Sequence, residues 1–186
     1  MKINNFLTIV ALVTPFATLP VGAIETVNPQ VNNAEVILLA QSDWQEYGSE
    51  EFTVKMPGEP ISSQNTEEIS EGMTLTFDDM TFQDDDGAYA VIYTELPSKY
   101  LDETDSKDVL NEMSMLFLMS TQLEGLKEFE ESINFQENPG LEYRIDEEEI
   151  GLILRLYLVQ ERVYFLFAVS EQPNQINQFI DSFNLL

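Results

Sequence analysis

Acidic side chains crowd two short stretches of this sequence, and one arginine interrupts its most apolar segment. Asp78 and Asp79 stand just ahead of Asp84, Asp85 and Asp86. A hard cation such as Ca2+ takes about six to eight oxygen ligands, so Asp84, Asp85 and Asp86 are the residues through which a weak calcium site would act. An EF-hand loop needs acids at alternate positions before its glycine, and Phe82 and Gln83 break that spacing ahead of Gly87. The competing reading is a solvated polar hairpin tip, with Gly87 supplying a positive φ. Asp146, Glu147, Glu148 and Glu149 form the second run. Paired carboxylates can divide general acid and base work when their surroundings separate their pKa values, as in glycoside hydrolysis. A carboxylate-based hydrolase or small-ligand binder is therefore the enzymatic alternative, and solvated decoration of a turn is the structural one.

Arg155 lies inside the apolar segment 152–169. Strand alternation puts it on one face with Ile153 and Tyr157, opposite Leu154, Leu156 and Leu158. Arg155 and Tyr157 could line a shallow ligand pocket, and the alternative is a covered face on which the arginine pairs with a neighbouring acid. The methionines Met113, Met115 and Met119 read as core filler ahead of a partner-binding surface.

Composition removes several chemistries. The chain has 186 residues with no cysteine and no histidine, so disulfide frameworks, thiolate zinc sites and nucleophiles served by an imidazole base are excluded. With 34 acidic against 8 basic side chains the formal charge is -26, which repels nucleic acid and anionic lipid while favouring cationic partners. A hydrophobic fraction of 44% nonetheless argues for a folded core.

The elements that must position these residues follow in order. Residues 1–23 carry one cation, Lys2, an apolar run and a small-residue end at Val21, Gly22 and Ala23, the pattern of a cleaved secretory signal. Residues 24–43 read as a flexible leader, with cleavage after Ala40 as the alternative to cleavage after Ala23, and residues 44–186 as one folded domain. Once the signal is removed, no integral membrane segment is expected. Phe52, Val54 and Met56 alternate with Thr53 and Lys55 as a half-buried strand ended by Pro57 and Gly58. Residues 61–71 read as a polar connecting stretch. Residues 73–82 read as a strand whose apolar phase switches around Asp78 and Asp79, which suggests a bulge or short turn. Residues 73–96 thus form a hairpin, and residues 97–104 a loop.

Thr104, Asp105 or Ser106 can cap a helix running to about Leu123. Residues 129–135 lean towards a strand, Asn138, Pro139 and Gly140 read as a turn, and Leu141, Tyr143 and Ile145 mark a strand with one wet face. Residues 152–169 form a dense apolar hairpin turned at Gln160, Glu161 and Arg162. Pro173 opens a closing helix with Ile176, Phe179, Ile180 and Phe183 on one stripe. The fold class is α+β, with a central antiparallel sheet flanked by helices.

Several local patterns, namely Trp44 with Tyr47, residues 52–58, residues 139–142, Tyr157, Leu158 and Val159 with Arg162, Val163 and Tyr164, and Phe179 with Ser182 and Phe183, resemble the PsbP-like extracytoplasmic proteins of cyanobacterial type. The resemblance implies an αβα sandwich and an extrinsic protein of the periplasm or thylakoid lumen. The family's namesake is a peripheral subunit of the photosystem II oxygen-evolving complex. A non-enzymatic accessory or protein-binding role at the membrane periphery is the expected function, with a photosystem II-associated extrinsic or assembly factor as the alternative, and no cofactor is expected beyond the weak Ca2+ that Asp84, Asp85 and Asp86 would hold.

Overall fold

The computed structural model describes residues 44–70, 73–146 and 150–186. The signal and leader expected over residues 1–43 lie outside these, as do Glu147, Glu148 and Glu149 of the second acidic run. In chain order the elements are β1 (Gln45–Gly48), β2 (Phe52–Met56), β3 (Ile61–Ser70), β4 (Met73–Gln83), β5 (Gly87–Glu95), α1 (Ser98–Glu103), α2 (Ser106–Ser120), β6 (Glu130–Phe135), β7 (Asn138–Asp146), β8 (Gly151–Val159), β9 (Arg162–Ser170), α3 (Pro173–Ser182) and β10 (Asn184–Leu185). A 3-10 helix, Glu124–Phe129, joins α2 to β6.

The apolar segment 152–169 is the β8–β9 hairpin, closed by a two-residue turn between Val159 and Arg162. Gln160 takes the left-handed conformation there, at φ 55. Arg162 is therefore the first strand residue and not part of the turn. β8 and β9 lie inside a seven-stranded antiparallel sheet of order β3-β4-β5-β9-β8-β7-β6. Leu152, Leu154, Leu156, Phe165 and Phe167 point to one face, where Val109, Leu110, Met113 and Leu118 of α2 cover them. Each such side chain contributes about 1.5–3 kcal/mol by leaving water. Ile153, Tyr157, Tyr164 and Leu166 point to the other face, covered by Ile176, Phe179 and Ile180 of α3 and by Phe52, Val54 and Met56 of β2.

α2 starts where the sequence places a cap. The Asp105 carboxylate accepts from the Lys107 and Asp108 backbone N–H groups at 3.0 and 3.1 Å, satisfying donors the helix leaves open. It ends when Gln122 turns left-handed, at φ 58, and Leu123 N–H reaches back to the Leu118 carbonyl at 2.8 Å. Pro173 opens α3 at its first turn.

Besides Arg162, the expected loop over residues 97–104 is corrected, since it holds the short helix α1, and five further expectations are refined or corrected. The architecture is more sheet-dominated than one sheet between helices: β1, β2 and β10 make a separate three-stranded sheet that shares the second face with α3. Residues 61–70 are a strand and not a connector. Being an edge strand, β3 needs little apolar alternation, and it pairs with β4 through polar side chains. The phase switch at Asp78 and Asp79 is no bulge, since β4 pairs with β5 without interruption from Phe77 to Gln83. Instead Leu75 and Phe77 pack into the core beneath α2 while Met80 and Phe82 pack into the opposite core, so the strand trades one cover for the other along its length.

The fourth correction moves a turn, which falls at Gln136 and Glu137, at φ 48 and 69, and not at Asn138, Pro139 and Gly140. Asn138 Nδ2 secures it by donating to the Phe135 and Gln136 carbonyls. Gly140 is a strand residue whose Cβ would meet the Leu156 carbonyl oxygen at 2.4 Å. Finally, Gly87 has no positive φ; it is required because a Cβ there would meet the Val169 carbonyl oxygen at 2.6 Å.

Candidate functional site

Arg155 emerges from β8 directly across from Glu142 of β7, and the two side chains form an ion pair through Arg155 Nε and Glu142 Oε2. The other carboxylate oxygen of Glu142 takes Arg144 Nε at 3.1 Å. Arg144 reaches further to Asn177 of α3 at 3.2 Å, and Arg155 lies 3.5 Å from the Tyr157 hydroxyl. Glu142 is thus shared by two guanidinium groups on a largely covered surface. Burial pushes its carboxyl up, but the hydrogen bonds and charges of Arg155 and Arg144 outweigh that and hold it below the ordinary carboxylate value. Arg155 and Tyr157 come together as strand alternation predicts, and the donors that could have read a ligand are turned onto Glu142. The paired-arginine reading accounts for the geometry.

The third arginine is also engaged. Arg162 pairs with Glu51, lies 3.6 Å from Glu95, and sits over the Tyr93 ring at 5.6 Å. It ties the β1–β2 connection to the large sheet.

At the β4–β5 tip, Asp84 acts on its own backbone. Its Oδ1 accepts from Asp86 N–H at 2.9 Å and from Gly87 N–H at 3.0 Å, a carboxylate-stabilised turn. The Asp86 carbonyl accepts from the Ser170 hydroxyl and the Glu171 N–H, tying the tip to the end of β9. Asp78 and Asp79 point to opposite faces of β4 and receive Gln64 and Ser63 of β3. The acids named together in the sequence are therefore spread over a turn and two sheet faces. Among the described residues no group of three or more carboxylates is arranged to hold a metal ion.

Two buried polar arrangements had no distinct signal in the sequence. Tyr143, fully buried on β7, has its hydroxyl 2.8 Å from Ser114 Oγ of α2 and 2.6 Å from Glu130 Oε2 of β6. Burial pushes the phenol up, and the neighbouring Glu130 adds to it. Ser114 falls on the apolar stripe of α2, and only that misplaced hydroxyl hinted at a partner. Asp79 is also buried; its Oδ2 accepts from Ser63 at 2.5 Å, while its Oδ1 has no partner among the described residues.

The outer surface of α2 differs from the expectation for its methionines. Met113 is core, but Met115 and Met119 are exposed at 38% and 59%. Asp108 and Glu112 stand exposed on the same side of the helix, and the Tyr100 hydroxyl of α1 donates to Glu112.

A comparison with solved structures finds a likeness to the solution structure of cyanobacterial PsbP from Synechocystis sp. PCC 6803, with 13% identity and a TM-score of 0.46 over 86% of this chain and 100% of that one. No family model and no curated protein matches the sequence. Among the described residues no helix is long and apolar enough to cross a membrane.

Proposed function

We propose that the protein is a non-enzymatic, PsbP-like accessory protein of an extracytoplasmic compartment, periplasm or thylakoid lumen, that works by binding another protein at the membrane periphery. One observation carries the reading. Arg144, Arg155 and Arg162 are all held by acids or aromatic rings within the fold, whereas Asp102, Glu103, Asp108, Glu112 and Glu161 stand exposed. Three of the eight basic side chains are thus engaged within the fold, and although Lys55, Lys99 and Lys107 stand exposed, acids outnumber bases 34 to 8 over the full chain, a formal charge of -26. Such a field draws cationic surfaces and repels anionic ones, with a reach of about 10 Å at moderate salt. The signal-like residues 1–23 support the compartment.

The test is gentle, low-salt lysis of cells expressing the tagged full chain, followed by sizing and identification of companions among membrane complexes, photosystem II included. The expected result is recovery well above the chain's own 21.3 kDa, with release when salt is raised. Recovery as a lone monomer at low salt would remove the reading.

A further inference from the structure

We propose that the outer stripe of α2, formed by Asp108, Glu112, Met115 and Met119, is a docking surface for a short amphipathic helix of a partner protein that carries apolar side chains at one end and lysine or arginine at the other. The proposal rests on the accessory-protein reading and gives it a surface and a partner chemistry.

The stripe follows from helical spacing. Steps of four, three and four residues keep Asp108, Glu112, Met115 and Met119 on one side, over about 16 Å of helix axis. Val109, Leu110, Met113 and Leu118 occupy the opposite side and are buried against β7 and β8. α2 therefore spends one apolar face on its own core and still displays two methionines outward. Among the described residues only Ile61, Phe129 and Leu186 are other large apolar side chains left exposed, and Met115 and Met119 are a single helical turn apart. Methionine is unbranched and polarizable, so a pair of them can adapt to a partner helix without a preformed pocket.

Charge complementarity selects the occupant. Asp108 and Glu112 continue the stripe towards the helix start, and Asp102 and Glu103 stand exposed just before them, outnumbering on this side the exposed Lys99 and Lys107. The Tyr100 hydroxyl donates to Glu112 Oε2, which helps to fix the carboxylate on this exposed side of the helix. An apolar group laid on Met115 and Met119 would bring a side chain two turns further along against Asp108 and Glu112. A cation there is favoured and an anion is repelled. A second copy of this chain, carrying the same acids, is disfavoured on the same ground.

The experiment uses the full chain labelled at its methionine methyl groups and a synthetic peptide helix with leucines at one end and lysines at the other. Two controls accompany it: a scrambled peptide of the same composition and a twin with glutamate in place of lysine. The Met115 and Met119 methyl signals are expected to move on titration while Met113 stays still. Replacing both exposed methionines, Met115→Ser with Met119→Ser, is expected to weaken binding about tenfold, since the apolar contact is lost. Asp108→Asn with Glu112→Gln is expected to weaken it about threefold and to reduce its salt dependence. Equal binding of the scrambled peptide, still methyl signals, or unchanged affinity in the methionine variant would each overturn the proposal. All four positions are exposed, so a circular dichroism spectrum matching the parent chain checks that the variants fold. A complex recovered from cells by the methionine variant as well as by the parent would sink this surface while leaving the accessory-protein reading in place.

Discussion

The β8–β9 and β3–β4 hairpins are built by the same backbone rules and have opposite compositions. β8 and β9 lie in the middle of the large sheet, covered on both faces, and nearly every residue in them is buried. β3 is an edge strand, and it meets β4 through Ser63 with Asp79, Gln64 with Asp78, and Thr66 with Thr76. A central strand must satisfy its backbone from both sides and is stabilised by side-chain burial. An edge strand has one side open to water, and polar cross-strand contacts suffice to hold it. Position in the sheet, not strand formation as such, thus decides how much apolar residue a segment needs.

The largest expected effect tests the central hairpin. Leu156→Ala, fully buried beneath α2, should cost about 3 kcal/mol in denaturant unfolding, because the cavity adds to the lost burial. A cost under about 1 kcal/mol would mean the centre tolerates vacancy as an edge does. Next comes the one charged residue of β8. Glu142→Ala leaves Arg155 and Arg144 without their shared acceptor and should cost about 2 kcal/mol. A double-mutant cycle between Glu142 and Arg155 should show coupling of about 1 kcal/mol or more.

The same pair predicts an acid limb. A carboxyl held below its ordinary value contributes stability that is complete above that value and is lost as pH falls through the folded one. Glu142→Gln should flatten the stability profile in that acidic window, and a profile unchanged in shape would contradict the pairing. On the alkaline side the sign reverses for Tyr89 of β5, which bridges the two hairpins. Burial pushes its phenol up to about 12, the Ser170 hydroxyl opposing and the Asp84 and Asp86 charges adding. Its contribution is complete below pH 10 and is lost as pH rises towards 12. Tyr89→Phe should remove that loss, and ultraviolet titration should show one fewer late-ionising phenol. The smallest effect belongs to the edge: Thr66→Ala in β3 should stay within about 0.5 kcal/mol of the parent.

This difference also explains what the sequence could tell. The β8–β9 hairpin, the alternation of β2 and the stripe of α3 were legible because each writes burial directly into residue order, and the cap of α2 was legible to within Thr104, Asp105 and Ser106, of which the structure uses Asp105. β3 was not, since an edge strand of serine, glutamine and glutamate looks like a linker. The turn at Gln136 and Glu137 was missed because neither residue is a usual carrier of positive φ, while Pro139 and Gly140 beside them carry the ordinary turn signals. Of the candidate site residues, Arg155 was placed correctly on a face with Tyr157. Its partner Glu142 was not identifiable, because register between β7 and β8 is set by the fold and not by either strand alone. Met115 and Met119 were read with Met113, and nothing in residue type separates a covered methionine from a displayed one.

The last three residues carry a consequence for how the chain assembles in time. β10 pairs with β2, and the Leu186 N–H bonds to the Glu51 carbonyl at 2.9 Å. The small sheet therefore joins segments from opposite ends of the folded domain, and β2 has only one neighbour until the final residues arrive. Emerging from a ribosome or a translocation channel, the domain can gather its large sheet first, but the second face gains its finished cover only once residues 183–186 have followed. Until then Phe52 and Tyr164 lack the Phe183 ring that packs on both.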